Sequence, residues 1–120
     1  MPKPNFAKMD GNWVLTGDFL LDGKLSPKSE VYELKLASVA NDRFTGTYVI
    51  PATDKSKFDG HIYASSCGTA VSIVQSHPEK QYYAAFAAWA KADVIVGAWF
   101  DLEGRNGDFK LERKTAARKA

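Results

Sequence analysis

Few side chains in this sequence are suited to chemistry: His61, His77, Cys67 and the close carboxylate pair Asp101 and Glu103. Two histidines make a metal site only when they stand together with a third ligand. Here His61 alternates with Gly60 and Ile62 and should point outward, while His77 precedes Pro78 in a turn. No metal site is therefore expected. Cys67 with a histidine would be a thiol nucleophile, but no oxyanion element accompanies it, and Ser65-Ser66-Cys67-Gly68 reads as a hairpin loop. Asp101 and Glu103 could divide acid and base roles if their environments differed. Beside Gly104, Arg105 and Asn106 they read instead as a solvated turn. Asp18, Lys35 and Arg113 could each put a charge inside a fold. There is no Gly-x-x-x-x-Gly-Lys-Ser/Thr loop and no Gly-rich strand-to-helix turn, so phosphate binding is unsupported. No catalytic residue and no cofactor is assigned. An enzyme acting on an apolar substrate stays open as a third reading, whose mark would be a buried polar group with a strongly shifted pKa.

The elements that would position these residues are strands. The chain has 120 residues, enough for one domain, with 45% apolar, 25% charged and 12% aromatic residues. The net charge of +2 is too small to imply a nucleic-acid partner. Turn signals recur roughly every twelve residues, as in sandwiches and barrels. The runs between them are Gly11 to Leu20, Val31 to Val39, Arg43 to Ile50, Lys57 to Ala64, Thr69 to Gln75, Gln81 to Trp89, Val94 to Asp101 and Asp108 to Arg113. Asp22-Gly23, Ser26-Pro27, Asn41-Asp42, His77-Pro78 and Asn106-Gly107 punctuate them, and Asn-Gly is the strongest short hairpin signal. Short connections favour an up-and-down meander. Tyr32, Leu34 and Leu36 oppose Glu33 and Lys35, and Phe109 and Leu111 oppose Lys110 and Glu112, so these strands have one dry and one wet face. The run Tyr82 to Trp89 is apolar on both faces; a helix is the alternative there, since alanine favours one.

Three runs share a unit with large residues and a glycine at i, i+2 and i+4: Phe44-Thr45-Gly46-Thr47-Tyr48, Phe58-Asp59-Gly60-His61-Ile62 and Ile95-Val96-Gly97-Ala98-Trp99. Glycine weakens a strand, so its recurrence needs a cause. The causes considered are curvature of a coiled sheet, cover by a side chain from the next strand, and room for a ligand. Trp13 on the first strand and Arg113 on the last can stack only if those strands are neighbours, which closes the sheet into a barrel.

Gly11-Asn12-Trp13 with a terminal Arg113 resembles the calycin superfamily, which includes lipocalins, fatty-acid-binding proteins and avidins. Phe44-Thr45-Gly46-Thr47-Tyr48 looks like the third strand of avidin and streptavidin, and Trp99 falls where avidins carry a Trp on strand seven. The resemblance spans Gly11 to Arg113 as scattered motifs. It implies that Tyr48 matches the Tyr that donates to the ureido oxygen of biotin and that Trp99 matches a cavity wall. Elsewhere the chain departs from the family. Leu15 and Ile50 replace an Asn and a hydroxyl residue, and no Trp stands in Val71 to Gln75 or in Leu102 to Gly107.

The expected fold is all-β, an antiparallel meander barrel of about eight strands, avidin- or lipocalin-like. Residues 1–10 would be an N-terminal arm, 11–113 the barrel, and 114–120 a basic tail. The leading expectation is a non-catalytic barrel holding a small, mostly apolar ligand against Tyr48, Trp99, Tyr32, Phe44 and Phe58, with Gly46, Gly60, Gly97 and Ala85 supplying space. One alternative is an assembly module with a self-filled barrel, whose outer interface uses Tyr82 or Tyr83, Phe86, Val94, Val96 and Phe100. Another is a degenerate avidin-like biotin binder. A homo-oligomer is expected under either of the main readings. Cys67 is the single cysteine, and neither a signal peptide nor a roughly 20-residue apolar span is evident. The expected setting is therefore soluble, reducing and cytoplasmic, most simply bacterial, with no membrane partner.

Overall fold

The computed structural model describes residues 9–17, 20–21, 24–25, 30–91 and 93–114. Ten strands follow one another: β1 (Gly11–Gly17), β2 (Leu20–Leu21), β3 (Lys24–Leu25), β4 (Glu30–Ala40), β5 (Arg43–Ile50), β6 (Lys57–Ser65), β7 (Gly68–Ser76), β8 (Tyr83–Lys91), β9 (Val94–Asp101) and β10 (Asn106–Arg113). No helix occurs among the described residues, and none is long and apolar enough to cross a membrane. Strands β1 and β4 to β10 pair with their neighbours in chain order, and β10 pairs back onto β1. All of these pairings are antiparallel, so the eight strands form a closed up-and-down barrel. The short β2–β3 ladder, which the sequence did not show as separate strands although the Asp22-Gly23 signal falls between them, attaches to β10 where Asn106 pairs with Leu20. Turn signals at Asp22-Gly23 and Ser26-Pro27, and the charge at Asp18, fall wholly or partly outside the described residues.

Closure rests on the two residues that suggested it. Trp13 and Arg113 are register partners of β1 and β10, and the guanidinium lies 4.4 Å from the indole centroid. The indole Nε1 donates to the Met9 carbonyl at 2.8 Å. Arg113 donates through Nη1 to the Asp10 carbonyl at 2.7 Å and through Nε to Asp93 at 3.0 Å. Trp13 and Met9 are both 0% exposed. Met9 and Asp10, assigned to an arm by sequence, thus belong to the barrel's closed end, while 1–8 and 115–120 lie outside the described residues.

The inner face follows from strand alternation. Leu34 and Leu36 of β4, Phe44 of β5, Phe58 of β6, Val71 and Ile73 of β7, Ile95 of β9, and Phe109 and Leu111 of β10 are buried together. Tyr83 to Lys91 is a strand and not a helix, because β7 and β9 pair with it along its length. Inside, Ala84, Phe86 and Ala88 join the core. The recurrent glycines also belong to this packing. Gly60 stands opposite Phe44, whose ring occupies the place of a Cβ, and Gly97 meets the backbone of Ala87 and Ala88. Gly46 is covered in the same way by Leu36. The glycines therefore give no ligand space, and Ala85, paired with Phe100, lies on the outer face.

Candidate functional site

The end opposite Trp13 is open. There the barrel holds a cavity of about 590 Å³, whose apolar wall is made by Leu15, Tyr32, Tyr48, Phe86, Trp99 and Phe109. The rings touch in series. Tyr32 lies 5.3 Å from Tyr48, Tyr48 5.1 Å from Phe58, and Phe58 6.3 Å from Phe86 between centroids. Phe86 then meets Trp99 at 6.2 Å, nearly parallel, and Phe109 edge-on at 5.0 Å. This aromatic girdle suits the face of an apolar or planar guest.

Two polar clusters interrupt it. The inner cluster joins β5, β7 and the β5–β6 loop. Gln75 Nε2 donates to the Tyr48 hydroxyl at 3.3 Å and to Ser56 Oγ at 3.2 Å. The Ser56 amide donates to Asp54 Oδ1 at 2.9 Å. Ser56 is 2% and Gln75 7% exposed. Burial, with the Asp54 charge and Tyr32 nearby, pushes the Tyr48 hydroxyl well above its ordinary range, against the Gln75 bond that lowers it. Tyr48 is thus a neutral donor at any ordinary pH.

The rim cluster is built on Asp101, whose side chain is fully buried. Its Oδ2 accepts from the Tyr82 hydroxyl and from Arg105 Nε, each at 2.8 Å. Its Oδ1 accepts from the backbone amides of Glu103 and Arg105, each at 2.9 Å. Burial alone would raise the carboxyl's pKa. The Tyr82 bond, the two amides and the Arg105 charge outweigh that and hold it below the ordinary carboxylate value. Burial and the bond to Asp101 push the Tyr82 hydroxyl up in turn. Arg105 continues outward to Glu103 at 2.7 Å, and His77 and Lys80 stand on the same rim.

These placements differ from the sequence reading at several points. Tyr48, Trp99 and Tyr32 line the cavity, but Phe44 and Phe58 are packed in the core and do not. Tyr82 and Phe86, expected on the outer face, belong to the inner one: Phe86 is 7% exposed and Tyr82 faces the cavity. The residues that are outside are Tyr83, Trp89, Val96 and Phe100, with Trp89 65% and Phe100 62% exposed. Asp101 is not a solvated turn residue. By accepting two amides it folds Leu102 to Arg105 into the turn, so Asn106-Gly107 falls inside β10 and not at the hairpin tip. Gln75 and Ser56 were missed. Gln75 did leave a signal, as a polar residue in step with Val71 and Ile73. His61 points outward against Tyr63, as expected, with rings stacked at 6.0 Å. No group of metal-ligating side chains exists among the described residues.

The closed eight-stranded barrel is consistent with a calycin-like fold. Comparison with known proteins adds no closer assignment: no protein family, curated protein or solved structure matches the chain.

Proposed function

We propose that this protein is a non-catalytic binding barrel that takes a small, mostly apolar molecule into its open end. The observation that carries the reading is the cavity of about 590 Å³ with an aromatic wall and a buried, neutral Tyr48–Gln75–Ser56 cluster. Binding sites for small molecules combine these ingredients, apolar walls for affinity and a few fixed polar groups for orientation. The polar groups are bound to one another in a way that suits recognition. Among the described residues no hydrogen bond joins a nucleophile to a base, so catalysis has less support.

The avidin likeness is compatible with this reading, since Tyr48 and Trp99, the two positions carried over from that family, line one cavity. Leu15 stands in the same wall where avidins place an Asn, which leaves biotin's ureido group short of a partner and makes biotin the weaker candidate. The exposed Cys67 suits a reducing compartment such as a bacterial cytoplasm.

Native mass spectrometry of the purified protein tests the binding reading. A copurifying small mass, released on denaturation, is the expected result. Absence of any bound mass, together with no uptake from a mixed set of small aromatic and aliphatic compounds, would remove it. A second reading, self-assembly through the outer face, is favoured by the exposed Trp89, Val96 and Phe100 on adjacent strands. Large apolar side chains grouped on a surface mark interaction sites more often than isolated ones do.

A further inference from the structure

The polar groups of the cavity differ in whether their polarity can reverse. The hydroxyls of Tyr48 and Ser56 can donate or accept, so they suit many guests. The Asp54 carboxylate and Gln75 Oε1 can only accept. Both residues line the cavity, Asp54 half-buried and Gln75 buried. Ser56 links them: its amide donates to Asp54 Oδ1 and its hydroxyl accepts from Gln75 Nε2. Among the described residues, neither Asp54 Oδ2 nor Gln75 Oε1 takes a hydrogen bond. No buried side-chain oxygen there lacks a partner, so Gln75 Oε1 is open to the cavity. Two unused acceptors, one of them charged, therefore stand on either side of Ser56.

The cations at the mouth do not offset this charge. Arg105 is engaged by Asp101 and Glu103, and its guanidinium covers the Tyr82 ring at 5.9 Å. Lys80 is exposed, where salt screens it, and His77 turns its Nδ1 to the Glu79 amide. Asp54, by contrast, acts on the Tyr48 hydroxyl in the wall. The rings add to the same preference. Tyr32 is tilted by 44° to Tyr48, and Phe86 by 24° to Trp99 and 82° to Phe109. No single flat guest lies on all of them, whereas a compact cation is attracted by any ring face.

We propose that the cavity selects an organic cation, an apolar body bearing one protonated amine, with its ammonium between Asp54 and Gln75 Oε1 and against the aromatic faces. This rests on the binding-barrel reading and names the chemical class of its ligand.

The test is calorimetric titration of the whole protein at pH 7 with three probes of one length: 4-phenylbutylamine, 4-phenylbutan-1-ol and 4-phenylbutyrate. They share an aryl body and differ in a cationic, neutral or anionic head. The expected result is that the amine binds at least about ten-fold more tightly than the alcohol, the scale of one charged hydrogen bond with a ring contact, and that the anion binds most weakly. Asp54→Asn should bring the ratio of amine to alcohol affinity close to one. Asp54→Ser, which keeps an acceptor for the Ser56 amide, serves as the second variant if Asp54→Asn does not fold, and should lower the ratio in the same direction. Equal affinities, or a preference for the alcohol or the anion, would overturn the cation assignment while leaving the binding barrel standing. So would a preference that survives in the folded variant. Failure of all three to bind would also overturn the cation assignment, and the binding barrel would then stand or fall on the native mass spectrum.

Discussion

Asp101 has the most demanding surroundings of any carboxylate described. Its side chain is shut from water, yet four donors converge on it, one of them the Arg105 guanidinium. Those donors favour the ionised form and hold the folded pKa below the ordinary value of about 4. A carboxyl depressed on folding contributes stability that is fully present above its unfolded pKa and disappears as pH falls through the folded one. Asp101→Asn keeps the shape but removes the charge. At pH 7 it is expected to lose about 1–3 kcal/mol, as charged hydrogen bonds weaken. The difference from wild type should shrink once pH drops below about 4. Thermal melts of both proteins across that range check this, and a constant gap would show that the carboxylate's charge is not the cause. At the closed end Trp13 plays a purely architectural part. It is fully buried, bonded to the Met9 carbonyl and covered by Arg113. Trp13→Ala should cost about 3–5 kcal/mol through the cavity left behind. A variant that unfolds at the wild-type denaturant midpoint would mean that this stack does not hold the barrel shut.

At the scale of the strand, the glycines show how tightly the sheet is coiled. Gly46 and Gly97 share the same sequence unit but meet different obstacles. A Cβ at Gly46 would collide mainly with the end of Leu36, which can rotate, whereas one at Gly97 would strike the backbone of Ala87 and Ala88. Overpacking costs typically about 1–3 kcal/mol, with the upper part expected where the backbone must move. Gly97→Ala should therefore destabilise clearly more than Gly46→Ala in chemical denaturation, and the reverse order would mean that β8 and β9 can separate freely. The same strands show what sequence alone could convey. Faces were readable in β4 and β10, where Glu33, Lys35, Lys110 and Glu112 mark the wet side. β8 carries no charge between Tyr83 and Ala90, so its parity had no such marker; Phe86 was placed outside when pairing with β7 and β9 turns it in, and Tyr82, just before β8, faces the cavity. Tyr48, Tyr32 and Trp99 were legible as inward aromatics. The cluster around them was not, because Ser56, Gln75 and Tyr48 meet only across two strand pairings. Likewise, the Asp101 turn looks solvated until Tyr82 arrives from another loop.

For the molecule as a whole, the barrel buries an apolar interior and exposes large apolar side chains on β4 and β5 (Val31, Val39, Val49 and Ile50) and on a flank of β7, β8 and β9. Trp89 pairs with Val96, Ala87 with Ala98 and Ala85 with Phe100, which sets large side chains beside a floor of alanines on β8 and β9. Val74 of β7, opposite Ala85, and Tyr83 extend this flank. A flank with both projections and a shallow floor can pack against a second copy of itself, and two-fold dimers place one patch on both partners. Homo-oligomerisation through this flank is the expected behaviour, independent of whatever the interior holds. Sedimentation velocity of the wild type should show a species larger than the 13.2 kDa chain. The double variant Trp89→Lys with Phe100→Lys should sediment as a monomer, because desolvating paired lysines opposes association. Both residues project outward, so the variant's interior is untouched and its binding of small molecules should persist. A wild type that remains monomeric at high concentration would refute assembly through this flank while leaving the cavity's role intact. A variant that lost the oligomer and small-molecule binding together would instead mean that the cavity is completed by the neighbouring barrel.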